Sequence, residues 1–361
     1  SNPLASSQTE ADLRLRNGTS HITQDGGVGS NGSNAGAAGV IAIGSGAGNV
    51  NATPNNVFIG NQAGFSNTTG STNSFVGNQS GYANTIGRAN TALGSRTLAT
   101  NVDGSFNTAI GRGTLELNSS GTANTAVGAD VMVKNLTGTG NTAIGGASLA
   151  LNTVGGENTS VGYTSMNNNT SGNENVAVGK DALYGNTSGD NNVAIGRGTL
   201  YAMTTDSNSV AVGHRAGLNN TKGSNLFIGA YAGYNNTTGA ENEFVGYKAG
   251  FGNQIGNYNE IFGYNSFFKN VSGASNAMFG RYTGYENTTG SDNCFFGDAS
   301  GWKNTSGSRN AFYGKASGAN NTTGEENTMV GWETGKLTKT GSRNVYMGYR
   351  AGEQGDDASE N

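Results

Sequence analysis

The chain has 361 residues, of which 62 are Gly, 2 are Pro and one is Cys, and its formal net charge is −4. A charged fraction of 12 % with almost no Pro is not typical of a disordered chain, and the negative net charge offers no basic surface for nucleic acid. The lone Cys294 excludes an internal disulfide framework, and the lack of any run of 18 apolar residues predicts no membrane-spanning segment.

The first 39 residues do not follow any repeat. They combine Leu13, Leu15 and Ile22 with Arg14 and Arg16, a mixture that suits a strand or hairpin docked on another surface. The end coils of a repeat protein also need atypical caps, because they would otherwise expose unpaired strand edges. We therefore predict that residues 1–39 form a cap, or a docking segment that contacts another subunit or a base or anchor protein.

From residue 40 to residue 352 the sequence repeats a short apolar segment that ends in Gly, such as residues 57–60. Of the 18 intervals between these closing glycines, sixteen are 17 residues long and two are 16. An Asn precedes the closing glycine by four residues in 17 repeats, and another Asn follows it by seven residues in 16. The closing glycines are residues 44, 60, 77, 94, 111, 128, 145, 162, 179, 196, 213, 229, 246, 263, 280, 297, 314, 331 and 348.

This period predicts an all-β fold. Seventeen residues are too few for the common helical repeats, which need about 33 or more, while Gly and Asn at fixed offsets favour tight turns. We predict a parallel β-solenoid, or β-roll, in which each of the 19 repeats is one coil with two short strands and two turns. Stacked coils place the Asn residues above one another as hydrogen-bonded ladders. The polar residues 353–361 are predicted to be a C-terminal tail.

Positions are numbered below from the closing glycine, which is position 0. Position −1 is apolar throughout, as in Ile59, and is predicted to face the inside of the coil. Position −2 would then face outwards and leave an apolar stripe that soluble monomers avoid. We therefore predict a homo-oligomer whose chains pack through this position. Its largest side chains are Phe58, Phe75, Phe227, Phe244, Phe295 and Phe312.

Position −2 also varies in size together with position +4. Where position −2 is small, position +4 is large, as in Ala92 with Leu98; where position −2 is large, position +4 is Gly, as in Phe295 with Gly301. This exchange of volume indicates that the two side chains share one space, within a coil or across an interface. It holds in 16 of 19 repeats, and the exceptions are Ala42 with Gly48, Ala211 with Gly217 and Ile261 with Phe267.

Segments such as residues 141–145 (Asn-Thr-Ala-Ile-Gly) and residues 225–229 (Asn-Leu-Phe-Ile-Gly) resemble the head repeats of trimeric autotransporter adhesins and of related bacterial and phage tail-fibre proteins. The resemblance covers residues 40–352. It implies a left-handed roll, three chains about one axis, and a place at a cell surface, in a fibre or in an injection-type assembly. The period of 17 residues is longer than is typical of the adhesin heads, and the sequence contains no heptad stalk.

The repeats contain no pattern typical of catalysis, of a cofactor or of a metal site. The two histidines, His21 and His214, lie far apart and have no metal-ligand spacing. We therefore expect no enzymatic activity, no cofactor and no metal. One column is a candidate for binding, because aromatic residues at position +5 either stack on sugars, such as surface glycans, or pack against a partner chain. Its candidate residues are Tyr234, Phe251, Phe268, Tyr285 and Trp302.

The sequence thus favours a non-enzymatic structural fibre or adhesin segment that presents a rigid rod outside the cell. The alternative is an ice- or crystal-surface-binding solenoid, because turns such as Thr68-Thr69 and Thr237-Thr238 would stack into ladders of hydroxyl groups. The ladder is interrupted at Val102-Asp103, at Leu136 and at Gln254-Ile255, which makes a flat, regular binding face less favourable.

Overall fold

A computed structural model describes residues 40–353. The predicted docking segment, residues 1–39, and residues 354–361 of the predicted tail lie outside the described residues. The chain divides into two compact units, one ending at Glu157 and the other beginning at Asn158. Both are built from parallel strands, and residues 40–353 contain no helix. The predicted all-β parallel solenoid of 17-residue coils is confirmed.

The described residues form 19 strands of three residues each, one for each predicted repeat. The first unit contains β1 (Ile41–Ile43), β2 (Val57–Ile59), β3 (Ser74–Val76), β4 (Thr91–Leu93), β5 (Thr108–Ile110), β6 (Thr125–Val127) and β7 (Thr142–Ile144). The second contains β8 (Thr159–Val161), β9 (Val176–Val178), β10 (Val193–Ile195), β11 (Val210–Val212), β12 (Leu226–Ile228), β13 (Glu243–Val245), β14 (Glu260–Phe262), β15 (Ala277–Phe279), β16 (Cys294–Phe296), β17 (Ala311–Tyr313), β18 (Thr328–Val330) and β19 (Val345–Met347).

Within each unit, consecutive strands pair in parallel, with equivalent positions of the repeat opposite each other. In β4 and β5, for example, Ala92 lies opposite Ala109. The closing glycine after each strand is required twice over. Gly94 has φ = +142°, and a Cβ atom there would lie 2.7 Å from the carbonyl carbon of Gly111 in the next coil. No L-residue fits this combination of dihedral angle and close backbone approach.

The prediction of a second strand in each coil is wrong. After the closing glycine the chain turns through alternating left-handed residues at positions +2 and +4, such as Arg96 (φ = 58°) and Leu98 (φ = 51°). A β-strand cannot contain such residues. The segment is still tied to the next coil, because the amide of Leu98 donates to the carbonyl of Thr114 at 3.1 Å. Each coil is therefore one strand followed by a long hydrogen-bonded turn.

The inward and outward positions of each strand are the reverse of those predicted from the sequence. Position −2 points into the coil, and Phe58, Phe75, Phe227, Phe244, Phe295 and Phe312 are fully buried within the chain. Position −1 points outwards, as in Leu93, which is 49 % exposed. The reason is local: position −2 lies two residues after the buried Asn at position −4, and strand residues two apart share a face. The six phenylalanines therefore have no surface to offer an interface between chains, and that prediction is corrected.

The predicted exchange of volume takes place inside a single coil. A Cβ atom added at Gly318 would lie 2.5 Å from the ring of Phe312, and one added at Gly233 would lie 2.5 Å from the ring of Phe227. In coils with Ala at position −2, a buried Leu or Met at position +4 occupies the same space, as Leu98 does beside Ala92.

Two exceptions to the exchange have a structural reason. The ring of Phe227 also reaches the preceding coil, where a Cβ atom at Gly217 would lie 2.6 Å from it. A Phe coil therefore needs Gly at position +4 of the coil before it as well as of its own. Ala211 with Gly217 precedes Phe227, and Ala42 with Gly48 precedes Phe58, so both are transitions into runs of Phe coils.

Two ladders of buried Asn side chains bind the coils together, as predicted. In the ladder at position +7, Asn118 Nδ2 donates to Asn101 Oδ1 at 2.7 Å, and Asn135 Nδ2 donates to Asn118 Oδ1 at 2.8 Å. In the ladder at position −4, the backbone N–H of Asn90 donates to Asn73 Oδ1 at 3.0 Å. Each Asn thus satisfies buried polar groups in its own coil and in its neighbours.

Candidate interaction surface

The described residues contain no cluster of potential metal ligands. No group of three or more His, Cys, Asp or Glu residues between positions 40 and 353 is arranged to hold a metal ion. His214 packs its ring edge-on against Tyr231, with 5.1 Å between ring centroids, and His21 lies outside the described residues. The same part of the chain contains no helix that could cross a membrane.

Cys294 has a local partner on the outward face of the strands. Its Sγ atom lies 3.1 Å from the hydroxyl oxygen of Tyr313 on the next strand. This hydrogen bond, together with partial burial, raises the pKa of Tyr313 above its ordinary value. The pair holds two neighbouring side chains of the strand face together.

The predicted aromatic column at position +5 is brought together by the fold. Ring centroids are 5.2 Å apart for Tyr234 and Phe251, 5.0 Å for Phe251 and Phe268, and 5.1 Å for Phe268 and Tyr285, with interplanar angles of 5–6°. Four of the five candidate residues therefore stack directly on one another, and the faces between neighbouring rings are covered. Sugars cannot stack on faces that are already covered.

Trp302 ends this column in a different way. Its ring is turned to 79° from Tyr285 and stacks instead on Tyr282, at 5.9 Å and 14°. Trp302 is 42 % exposed. The following coil has only Ala316 and Ala319 at the positions equivalent to Tyr282 and Tyr285, so it has no ring to cover the second face of the indole.

Sequence reasoning missed four further rings that extend this surface. Tyr231 and Tyr282 at position +2, and Tyr247 and Tyr264 at position +1, contact one another or the column at position +5. The signal that was available is the concentration of Tyr at these two positions in four successive coils. We call the connected set of Tyr, Phe and Trp rings the aromatic network; it comprises Tyr231, Tyr234, Tyr247, Phe251, Tyr264, Phe268, Tyr282, Tyr285 and Trp302.

Three cations lie over rings of the aromatic network: Lys248, Arg281 and Lys269, and Lys269 is paired with Glu286 at 2.6 Å. The ammonium group of Lys248 is 5.3 Å from the ring centroid of Tyr247 and 5.6 Å from that of Phe251, with two more rings within 6.0 Å. No carboxylate of the described residues forms an ion pair with Lys248. Arg281 differs, because its guanidinium group makes two hydrogen bonds with Asp298, at 3.2 and 3.0 Å.

A second surface runs along the outward face of the strands. We call position −1 in the two units the outer stripe. In the first unit it comprises Ile43, Ile59, Val76, Leu93, Ile110, Val127 and Ile144; in the second, Val161, Val178, Ile195, Val212, Ile228, Val245, Phe262, Phe279, Phe296, Tyr313, Val330 and Met347. Each is partly exposed, and none carries a charge. Ile195, for example, is 40 % exposed.

No protein-family model matches this sequence, and no curated protein matches it either.

Proposed function

We propose that this chain is a non-enzymatic structural segment of a fibre or adhesin, in which copies of the chain pack together through the outer stripe. The observation that carries the proposal is the stripe itself, which is apolar in the 19 described coils and is left partly exposed by the described residues. Within each unit the stripe is a contiguous apolar surface, and such a surface marks an interaction site in a soluble protein.

The occupant that fits best is a second copy of the same chain. A copy has the same coil spacing, so its side chains meet the stripe in the same register at every coil. The stripe has no charge that would repel an identical surface, and symmetric homo-oligomers are the commonest assemblies. The resemblance to adhesin and tail-fibre repeats favours three chains about one axis.

The remaining parts of the proposal follow from this architecture. Hydrogen-bonded ladders and in-register strands make each unit rigid, and a rigid repeat displays any binding group many times, which increases avidity. We propose a place outside the cell or at a surface, as for the repeats that this chain resembles. Residues 1–39 are proposed to dock on another subunit or on a base protein.

The test is the mass of the purified chain in solution, measured by sedimentation equilibrium. We expect the mass of three chains, and we expect the double substitution Ile110→Lys with Ile195→Lys to reduce it, because six charges would be buried per trimer. The matched control is Ile86→Lys with Ile255→Lys, two isoleucines that are 49 % and 51 % exposed on a turn at position +9. A folded monomer of the unmodified chain contradicts the proposal.

The structure does not favour the ice-binding alternative. The first hydroxyl of the Thr-Thr turns is already used to hold the coils together: Thr68 Oγ1 donates to the carbonyl of Thr85 at 3.0 Å, and Thr237 Oγ1 donates to that of Gln254 at 2.9 Å. These hydroxyl protons are not available to order water on the surface.

A further inference from the structure

The aromatic network is not needed to build the coil. In the first unit, position +5 is occupied in successive coils by Ala99, Glu116, Val133 and Ala150, and these coils have the same strand, the same turn and the same pairing. Five successive rings at a position where Ala suffices therefore require another explanation, and tyrosine-rich exposed surfaces are typical of recognition.

The network has two features that point to a ligand. The first is Trp302, which is 42 % exposed and stacks on Tyr282 with no aromatic ring from the following coil on its other side. The second is the ammonium group of Lys248, which is held among four rings and has no carboxylate partner in the described part of the chain. An indole face binds the C–H face of a sugar ring, and a fixed, unpaired cation binds an anion.

We propose that the aromatic network binds a carboxylated oligosaccharide, with one pyranose ring stacked on Trp302 and a carboxylate of the same chain paired with Lys248. Lys248 and Trp302 lie three coils apart, which is roughly 14 Å at about 4.8 Å per coil, a span suited to a ligand of several sugar units. The ion pair of Arg281 with Asp298, between them, offers both donors and acceptors to vicinal hydroxyl groups.

This proposal rests on the proposed adhesive role but uses different residues from the outer stripe, so the two are tested separately. The binding test uses the full chain, immobilised, against oligogalacturonates and hyaluronan fragments as carboxylated probes and against dextran oligosaccharides of equal length as neutral probes. We expect carboxylated probes to bind at least about tenfold more tightly than neutral ones, and this preference to weaken as salt is raised.

Substitutions at the two contact points give the decisive comparison. Trp302→Ala should weaken binding about tenfold, which corresponds to about 1.4 kcal/mol. The coil tolerates this change, because Ala99 and Ala319 occupy the same position. Lys248→Gln should abolish the preference for carboxylated probes, while Lys248→Arg should keep it. Tyr82→Ala, in the stacked pair of Phe65 with Tyr82 in the first unit, is the matched control and should bind like the unmodified chain.

The proposal is overturned by no binding to either carboxylated probe, by equal binding of carboxylated and neutral probes, or by unchanged binding after Trp302→Ala. Binding to a deglycosylated protein surface without binding to the oligosaccharides would also overturn it, in favour of a protein partner. The mass measurement distinguishes this failure from that of the fibre proposal, because a monomer that binds carboxylated sugars refutes only the fibre, and a trimer that binds none refutes only this site.

Discussion

The exchange of volume between positions −2 and +4 makes a quantitative prediction about the interior of a single coil. Ala92→Phe places a ring where the Cβ atom of Leu98 lies, and overpacking of this kind costs about 1–3 kcal/mol. Leu98→Gly alone removes a buried side chain, which costs about 2–5 kcal/mol, but relieves a left-handed conformation at φ = 51° that costs about 1–2 kcal/mol. Each single variant should therefore be destabilised.

The double variant Ala92→Phe with Leu98→Gly should be close to the unmodified chain, within about 1 kcal/mol. The introduced ring fills the space left by Leu98. The preceding coil has Phe75 at position −2 and Gly81 at position +4, so it has no large side chain at position +4 to clash with the ring. At the midpoints of these ranges each single variant loses about 2 kcal/mol, so we expect a coupling energy of about 3 kcal/mol between the two positions, at the upper end for residues in contact. The measurement is unfolding in guanidinium chloride, with the slope m unchanged.

The matched control is the same pair of substitutions one coil further on, Ala109→Phe with Leu115→Gly. The introduced ring would then meet Leu98 of the preceding coil, in the way that the ring of Phe227 approaches Gly217. This variant should remain about 1–3 kcal/mol less stable than the unmodified chain. If the loss of stability in the first double variant equals the sum of the losses in its single variants, the shared space is refuted. If both double variants regain the same stability, the requirement for Gly at position +4 of the preceding coil is refuted.

Two further predictions concern the Asn ladder at position +7. Thr338→Asn should raise the free energy of unfolding by about 1–2 kcal/mol, seen as a higher denaturation midpoint, because it would provide a donor for Asn321 Oδ1, which is buried without a partner. Asn118→Ala should lower it by about 2–6 kcal/mol, since it leaves Asn101 Oδ1 and Asn135 Nδ2 without their bonds to Asn118; a loss below about 1 kcal/mol would contradict a stabilising ladder.

The sequence predicts the coil and its ladders because both depend on the period alone. Identical positions stack whatever the exact path of the backbone, so the Asn columns and the exchange between positions −2 and +4 are visible as spacing. The sequence prediction assigned the wrong side chains of each strand to the interior, because position −1 is apolar in every repeat and was interpreted as a core position. The exchange of volume between positions −2 and +4 already indicated that position −2 faces the interior. Only side chains enclosed together, such as Ala92 with Leu98, must compensate each other in volume.

The candidate site was predictable only in part, because ring contacts between coils depend on local side-chain directions. The column at position +5 is visible as a spacing. The rings of Tyr231 and Tyr282 and the ammonium group of Lys248 are not, since they leave the backbone at left-handed residues with φ = 60°, 57° and 54°. Whether such side chains lean towards position +5 or away from it follows from the fold and not from the period.

The corrected assignment of inward and outward strand positions strengthens the inference of self-association and moves it from position −2 to position −1. An inward position must be apolar to fill the core, so its apolarity says nothing about partners. An outward position has no such need, and position −3, which faces the same way, admits Thr, Ser and the two charged residues Glu243 and Glu260. Position −1 varies from Val to Phe in size, yet in the 19 described coils it is always aliphatic, aromatic or Met, and never charged. An outward column that tolerates changes of size but not of polarity is best explained by burial against another chain.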